Sequence, residues 1–282
     1  MTLCVVPTPI GNLGDITLRA LDALRAADVV ACEDTRRTIK LLNRYEIRKP
    51  LVSCHRHNER ARADELVSRV ERGETVALVS DAGTPGVSDP GYVLIEKVIE
   101  KNLPLDVLPG PNALLPALLL SGLSPQPFLF HGFVEGTSAE RKKILAALRA
   151  APQTLVFYVA PHNLARELAF FRDALGDRRA ALAREISKVH QETIRAGLAE
   201  LAEIAATCAP RGEMVLVVEG NRDEPAATPD EAWQAEAARM KAGGIFDREI
   251  ANVLFARYGI PRNRVKKFLS QVEGEVNDDQ QQ

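Results

Sequence analysis

A turn rich in glycine and proline at residues 80–91 constrains this chain more than any other stretch. It follows Thr75–Val79, a short apolar run typical of a buried strand, and it precedes residues 92–99, which have the apolar spacing of a helix. Its three glycines let a bound molecule approach the backbone, and its two prolines fix its shape. Because open α/β sheets bind ligands beyond the carboxyl ends of their strands, Asp81 and Asp89 predict a ligand-binding loop here. An ordinary structural turn is the alternative.

Five short apolar runs predict five strands in the first part of the chain, and polar or glycine-rich clusters follow them. The runs alternate with helical segments, which favours a mainly parallel sheet with helices on both faces. Since the carboxyl ends of parallel strands share one edge, we expect the clusters to converge on one cleft. The predicted strands span residues 3–6, 29–32, 51–54, 75–79 and 105–108.

The first helix is expected to begin after the turn that follows the first strand. Asp15 has the character of an N-cap residue, and Ile16 lies with Leu18, Leu21 and Leu24 on the apolar side of the helix. The sequence therefore predicts that Asp15 caps this helix and that the three leucines face the core.

Proline-rich and polar segments divide the chain into three parts. Breaks near residues 121–127 and 221–230 predict an N-terminal α/β domain at 1–122, a second α/β domain at 123–222 and a C-terminal helical unit at 231–282.

The C-terminal unit is predicted to hold three helices, at residues 232–241, 247–258 and 262–272. The short turn between the last two resembles a helix-turn-helix, and a small solvated bundle is the alternative. The last helix is basic, and the acidic tail at 273–282 is expected to be disordered. The basic residues are Arg262, Arg264, Lys266 and Lys267.

Composition excludes several classes of protein. No apolar run reaches the roughly 18 residues of a membrane span, and the start lacks a signal peptide's basic segment. We therefore expect a cytoplasmic protein that does not bind a membrane. A net charge of −2 excludes a broadly basic nucleic-acid coat but permits a local basic surface. The scattered cysteines predict neither a metal site nor a disulfide framework. These are Cys4, Cys32, Cys54 and Cys208.

Seven motifs, taken together, resemble one family closely. The sequence is similar to the bacterial ribose 2′-O-methyltransferases of small-subunit ribosomal RNA, in the tetrapyrrole-methylase-like superfamily. The resemblance runs from Leu3 to about Gly220, and more loosely through the C-terminal helices. The motifs lie at residues 6–13 (Val-Pro-Thr-Pro-Ile-Gly-Asn-Leu), 33–36 (Glu-Asp-Thr-Arg), 57–59 (His-Asn-Glu), 80–91, 109–111 (Pro-Gly-Pro), 183–185 (Ala-Arg-Glu) and 212–215 (Gly-Glu-Met-Val).

The resemblance implies two α/β domains that bind S-adenosylmethionine in the cleft between them, and a homodimer. It also implies that the substrate is a cytidine ribose in small-subunit (16S) ribosomal RNA, within free RNA or an assembling 30S subunit. By resemblance, the cofactor-binding residues are Pro9, Asp81, Ala82, Gly83, Thr84, Pro85, Val87, Asn112, Ala113, Tyr158, Ala183 and Met214.

The chain departs from the family pattern after the strand that ends near Tyr158. The family usually has Tyr-Glu-x-x-His-Arg there, whereas Val159 and Asn163 replace the acid and the base in this chain. We expect this loop to face the cleft. The family also tends to have Ser or Cys where Asn112 stands.

Methyl transfer to a ribose hydroxyl needs close positioning and gains from a base that takes the proton. The residues that have suitable side chains are Asp34, His57, Glu59, Glu185 and Asp81, and each is equally suited to an ion pair. Phosphate contacts need only a local basic rim, and solvated surface charges are the alternative. The predicted RNA-binding residues are Arg36, Arg37, Arg56, Arg60, Arg141, Lys142 and Lys143.

Two other functions fit parts of this pattern. A methyltransferase of a tetrapyrrole precursor or another small molecule needs neither a basic rim nor a helix-turn-helix. A non-catalytic RNA-binding protein on the same fold fits the Val159 and Asn163 changes, but the intact loops at Pro9, Asp81 and Pro109 argue against it.

Overall fold

The computed structural model describes residues 1–208, 212–222 and 230–278, which form two compact units. The large unit comprises Met1–Gly220 and the small unit Asn221–Gln282. The three-domain division stays a prediction. The expected linker at 221–230 falls mostly on residues 223–229, which lie outside the described residues.

The first sheet of the large unit has five parallel strands, as the sequence predicted, and their order is β3-β2-β4-β1-β5. The strands are β1 (Thr2–Val5), β2 (Val29–Cys32), β3 (Leu51–Ser53), β4 (Thr75–Val79) and β5 (Leu105–Val107). The helices between and after them are α1 (Leu18–Ala26), α2 (Thr35–Arg44), α3 (Glu59–Glu71), α4 (Tyr92–Glu100) and α5 (Leu114–Ser121).

Residues of the central strands point alternately to two apolar layers. Leu3 and Val5 pack with α3 residues such as Leu66, while Cys4 and Val6 pack on the other face with Leu24 of α1. The strands therefore need apolar side chains at every position, which explains their short unbroken apolar runs. Cys32 and Cys54 are likewise buried as small apolar groups, whereas Cys208 is exposed.

The prediction for the first helix is partly wrong. Thr17, not Asp15, is the N-cap, because its hydroxyl accepts a hydrogen bond from the backbone N of Ala20. Asp15 ends a short 3-10 turn, and its Oδ2 accepts a 2.6 Å hydrogen bond from the Ser187 hydroxyl. Leu18 is 81% exposed, so it does not face the core.

The second sheet is mixed, with the order β6-β7-β10-β8-β9. Only β6 and β7 pair in parallel, and the other neighbours are antiparallel. Helices α6, α7 and α8 cover one face, and α5 packs against the other. These elements are β6 (Phe128–Phe133), α6 (Ser138–Leu148), β7 (Thr154–Val159), α7 (Leu164–Leu175), β8 (Arg179–Arg184), β9 (Glu192–Gly197), α8 (Leu198–Cys208) and β10 (Met214–Val218).

The small unit packs α9 (Asp230–Ala242), α10 (Asp247–Tyr258) and α11 (Arg262–Asp278) around its own apolar core. Trp233, Leu254 and Leu269 are buried there. The predicted disorder of the tail is wrong as far as Asp278, because α11 continues to that residue, and residues 279–282 lie outside the described part. Among the described residues, no helix has the length and apolarity that crossing a bilayer requires.

Candidate functional site

The turns after β1 and β4 are joined by their backbones. The N of Thr8 donates to the carbonyl of Gly83, and the N of Gly83 donates back to the carbonyl of Thr8, each over 2.9 Å. The Thr8 hydroxyl also donates to the carbonyl of Ser80 over 3.0 Å. Gly83 has φ +80°, a left-handed conformation that glycine adopts without strain. These bonds bring Pro9 beside residues 81–85, as the strand-end argument predicted.

The turn after β5 packs against the turns after β1 and β4. A Cβ at Gly110 would lie 2.8 Å from Cβ of Pro7, so the two backbones approach each other closely. The Thr84 hydroxyl donates to the carbonyl of Pro111 over 3.4 Å. Asn112 is already engaged, because its Oδ1 accepts from the N of Leu115 at the start of α5. The loops after β1, β4 and β5 thus converge.

Glu59 anchors the far end of the glycine-rich loop. Its Oε1 accepts hydrogen bonds from the N of Gly91 over 2.7 Å and from the N of Val93 over 3.1 Å. A carboxylate is favourable at this position because the first turn of α4 has unpaired N–H groups. This geometry gives Glu59 a positioning role.

An inter-sheet cluster of apolar side chains connects these loops to the second sheet. Ile10 and Ala113 from the first set of loops pack against Tyr158, Ala183 and neighbouring residues of β7, β8 and β10. The Tyr158 ring lies edge-on to two phenylalanine rings of β6, with centroids 5.0 and 5.5 Å away. The structure therefore brings together three residues that the family resemblance implied. We define the inter-sheet cluster as Ile10, Ala113, Phe130, Tyr158, Ala183 and Val215.

Met214 does not join this cluster with its side chain. It is buried with Phe157 and Leu216 on the opposite face of the second sheet, under the helices. Val215, the next residue, points into the inter-sheet cluster instead. Because successive strand residues alternate between faces, only the backbone of Met214 remains available to a ligand in the cleft.

Val159 also faces away from the cleft, contrary to expectation. It is 4% exposed and packs with Leu164, Leu168 and Met214 in the core beneath the helices. Asn163 is exposed at the start of α7 and has φ +58°. The acid missing at 159 is thus replaced by an apolar side chain in an apolar environment.

Glu185 belongs to a second connection between the two sheets. Its Oε1 accepts hydrogen bonds from Nζ of Lys188 over 3.0 Å and from the N of Glu213 over 3.1 Å. The hydrogen bond from Lys188 is the main reason that the pKa of Glu185 lies below its usual range. The stem of Lys188 passes against Gly11, where a side chain would have no room. Glu185 therefore stabilises the loop that follows β8.

Asp34 lies beyond the carboxyl end of β2, and its carboxylate is paired. Its Oδ1 accepts from the N of Arg36 over 2.8 Å, and its Oδ2 accepts from the guanidinium over 2.7 Å. These bonds lower the pKa of Asp34 to about 2, so it is a weak base at neutral pH. Its own N donates to Oδ1 of Asp81 over 3.0 Å, and Arg37 pairs with Asp81 over 3.4 Å.

Sequence reasoning noted Asp89 as a loop carboxylate but gave it no catalytic role. Burial, and then the charges of Glu33 and Asp81, raise its pKa to about 6, against the opposing effect of Arg56. Burial and then Asp89 in turn raise the pKa of Tyr158 to about 12, so the two groups lie within electrostatic reach. No hydrogen bond or ion pair engages Asp89 within the described ranges. The signal in the sequence was only its place between Ser88 and Pro90.

His57 is exposed, and its ring lies 5.9 Å from that of His55, edge-on. The carboxylates of Asp34, Glu59 and Glu185 are held by hydrogen bonds. Among the described residues, no hydrogen bond engages the side chain of His57 or Asp89.

The predicted RNA-binding residues fall into two groups. Arg141 is structural, since its side chain is 22% exposed, pairs with Glu167 and lies 4.6 Å from the Phe170 ring centroid. Arg56 donates to the carbonyl of Ser88 over 3.2 Å and remains exposed. The other members are exposed and lie on the surface of the large unit: Arg36, Arg37, Arg60, Lys142 and Lys143.

Comparison with known proteins gives consistent results. Residues 2–202 match the family described as Tetrapyrrole (Corrin/Porphyrin) Methylases. Ribosomal RNA small subunit methyltransferase I of Pseudomonas aeruginosa is 46% identical over 243 residues, which cover 85% of each chain. The protein of the same name from Thermotoga maritima is 41% identical over 218 residues, or 77% of this chain and 98% of that one.

Solved structures show the same fold at lower identity. A diphthine synthase superposes with a TM-score of 0.63 and 17% identity, covering 78% of this chain and 90% of that one. Uroporphyrin-III C-methyl transferase from Thermus thermophilus, complexed with S-adenyl homocysteine, gives a TM-score of 0.56 and 20% identity, covering 77% of this chain and 96% of that one. The chain belongs to the tetrapyrrole methylases and, within them, to the family of the ribosomal RNA small subunit methyltransferases I.

Proposed function

We propose that this protein transfers the methyl group of S-adenosylmethionine to the 2′-hydroxyl of a cytidine ribose in small-subunit (16S) ribosomal RNA. One observation carries the proposal in structural terms. The Thr8–Gly83 bridge joins the loops after β1 and β4, the Thr84–Pro111 hydrogen bond adds the loop after β5, and these loops meet the inter-sheet cluster at the carboxyl edge of the sheet. The name shared by the relatives supports the choice of substrate.

The residues at this edge suit a nucleoside cofactor. Gly83 has no side chain, so a flat group is able to approach its backbone, and a Cβ there would meet nothing closer than 3.7 Å. Ala113 and Ala183 are small, and the Tyr158 and Phe130 rings offer apolar surface for an adenine. We propose that Pro9, residues 81–85, Val87, Asn112 and the backbone of Met214 complete this site. When bound, the cofactor supplies an electrophilic methyl group on its sulfonium.

The chain's own residues contribute positioning and a base. The loop bonds of Glu59 and Thr8 hold the glycine-rich segment rigid, and effective positioning supplies up to roughly 7–11 kcal/mol of a barrier. The 2′-hydroxyl must lose its proton as the new bond forms. We propose that Asp89 takes this proton, because it is unengaged and half-buried, and its pKa of about 6 leaves it ionised yet basic at neutral pH.

We propose that the RNA approaches over the exposed cations of the large unit. Arg56 lies beside Ser88 in the loop that holds Asp89, so a phosphate bound there would bring its ribose close to that carboxylate. Arg60, Lys142 and Lys143 are further exposed cations of the large unit. The target nucleotide must leave its stack, which costs about a few kcal/mol and is easiest in a partly unpaired region.

We propose a homodimer as the working form in the cytoplasm. Exposed apolar side chains lie on or beside the edge strand β5, namely Val107 and Leu18, and α5 exposes Leu115 and Leu119. Arg19 of α1 pairs with Asp106 over 2.7 Å, which places the start of α1 beside that edge. Light scattering on the purified chain tests this, and a monomer at micromolar concentration contradicts it.

The central experiment measures transfer of labelled methyl from S-adenosylmethionine to small-subunit particles and to naked small-subunit RNA, followed by mapping of the modified nucleotide. We expect one cytidine ribose to be labelled, and no label when Gly83 is replaced by Val. Transfer to a tetrapyrrole precursor but not to RNA supports a small-molecule methyltransferase instead. RNA binding without any transfer supports a non-catalytic protein.

A further inference from the structure

We propose that the small unit binds a single-stranded segment of RNA through the exposed surface of α10 and α11, where Phe255 and Arg262 stack on a base and Lys266 and Lys267 contact phosphates. The choice of RNA rests on the proposed function. We call these four residues, with Asn252, the stacking face.

Phe255 and Arg262 form a preorganised pair. The guanidinium carbon of Arg262 lies 4.5 Å from the Phe255 ring centroid, and Nε of Arg262 donates to Oδ1 of Asn252 over 2.7 Å. These two contacts fix the plane of the guanidinium, while its Nη atoms have no acceptor among the residues that the structure describes. Phe255 remains 45% exposed despite this contact. A ring and a guanidinium held in this way form a surface on which a nucleobase stacks.

Two exposed lysines follow Arg262 on α11. Lys266 lies one turn after Arg262 on the same side, and Lys267 lies about 100° further round the helix, while Val265 and Leu269 turn into the core. The run 262–270 contains four cations and no acidic residue. Neither lysine has an ion-pair partner within the described part of the chain. Unneutralised lysines next to a stacking pair match the alternation of phosphate and base along a nucleic-acid strand.

This chemistry favours single-stranded RNA over other partners. The deep groove of an RNA duplex is too narrow for a helix, so a helix presenting stacking groups suits unpaired bases. A protein partner would require a larger apolar patch than one half-exposed ring.

The surface is separable from the methyl-transfer site. The Thermotoga maritima relative is matched over 98% of its length by 218 residues, close to the length of the large unit. This relative is therefore too short to contain a counterpart of the small unit in addition to the large unit. We infer that the small unit adds RNA affinity to a core that holds the cofactor by itself.

The test uses the full chain without cofactor and measures binding to naked small-subunit RNA by filter binding between about 50 and 200 mM salt. Lys266→Gln with Lys267→Gln should weaken binding and reduce the slope of log affinity against log salt by about 1.4, or about 0.7 for each lost contact. The matched control is Arg72→Gln with Lys101→Gln, which removes two exposed cations that are already paired with Glu74 and Glu71. We expect the control to keep the slope of the unmodified protein.

A second pair of variants tests stacking. Phe255→Leu should weaken binding at least about fivefold, because stacking of a base on an aromatic ring contributes roughly 1–3 kcal/mol. Phe246→Leu alters a phenylalanine that is 81% exposed and, among the residues that the structure describes, has no guanidinium above it, so this variant should have little effect.

Equal affinities for the lysine variant and its control overturn the proposal, and so does unchanged binding by Phe255→Leu. A loss seen with assembled subunits but not with naked RNA overturns it in favour of a protein partner. Calorimetry with S-adenosylmethionine separates the two proposals: the variants should keep the cofactor affinity of the unmodified protein, whatever happens to RNA binding.

Discussion

Glu59 and Gly91 lie 32 positions apart, yet Oε1 of Glu59 accepts a 2.7 Å hydrogen bond from the N of Gly91. The same oxygen accepts from the N of Val93, so one carboxylate both ends the glycine-rich loop and starts α4. The loop is therefore held at Glu59 on one side and at the Thr8–Gly83 bridge on the other.

Replacing Glu59 separates a positioning role from a catalytic one. Glu59→Gln keeps an acceptor oxygen and should retain most of the methyl transfer. Glu59→Ala loses the cap and should lower the free energy of unfolding by about 1 kcal/mol, as other N-cap deletions do. Urea unfolding and methyl-transfer rates check both. A loss of more than about 100-fold in Glu59→Gln, with unchanged stability, would restore Glu59 as a base.

Gly83→Val should abolish most binding of S-adenosylmethionine. A β-branched residue at φ +80° is strained by about 1–2 kcal/mol, and its side chain occupies the space next to Ile10 that a ligand would enter. Gly176→Val is the matched control, since φ is +92° there and no atom lies within 4 Å of a Cβ. Both variants should lose similar stability in thermal unfolding. Calorimetry should show reduced cofactor affinity for Gly83→Val only, and equal affinities contradict the assignment.

Asp89 should set the acid limb of the pH profile for methyl transfer. Its pKa is raised to about 6, so the rate should rise with pH through that value as the carboxylate ionises. Asp89→Asn should remove this rise and lower the rate about 10²- to 10⁴-fold. The raised pKa means that folding favours the neutral form of Asp89. The free energy of unfolding should therefore fall as pH rises through about 6, and Asp89→Asn should remove this fall.

Glu33→Gln is the control for this assignment. The charges that act on Asp89 are those of Glu33, Asp81, Arg56 and Glu213, and its charge acts on Tyr158. Removing the Glu33 charge should move the midpoint of the profile to lower pH and keep the rate at neutral pH. An unmoved midpoint excludes Asp89 as the titrating group.

Val159→Glu should destabilise the protein and should not raise methyl transfer. The side chain lies in an apolar core, where an unpaired carboxylate costs about 3 kcal/mol or more. Val159→Gln matches the length of Glu without the charge and should be less harmful. Adding Asn163→Arg should give little rescue, because a left-handed backbone at 163 disfavours that residue. Urea unfolding measures the order of the free energies of unfolding of these variants. A double variant with faster methyl transfer than the unmodified protein contradicts the prediction.

Removing residues 223–282 should leave cofactor binding intact. The large unit forms its own compact set of contacts, and it contains every proposed cofactor residue. Calorimetry on residues 1–222 should give the affinity of the full chain, whereas affinity for RNA should fall. Lost cofactor binding in a folded large unit would show that the small unit contributes to the site.

Local spacing in the sequence was sufficient to predict most elements. The period of the apolar residues located α4, α10 and the strands of the first sheet, because side chains on one face recur every two or about 3.6 residues. The alternation of strands and helices predicted a parallel sheet, and chain direction alone then placed the loops at one edge. The convergence at Thr8, Gly83 and Pro111 follows from that topology.

The sequence by itself thus determined the elements, the first sheet and the edge where the site lies. Only the tertiary structure decided the partners of Asp15 and Asp81, because these come from distant parts of the chain: the Asp81 carboxylate accepts from the N of Asp34 47 positions away, and the Asp15 carboxylate accepts from Ser187 172 positions away. It also decided that Val215 rather than Met214 enters the inter-sheet cluster, and that Val159 faces the core. The physical reason is that sheet register and burial depend on strand pairing, and that a pKa such as that of Asp89 depends on charges assembled by folding.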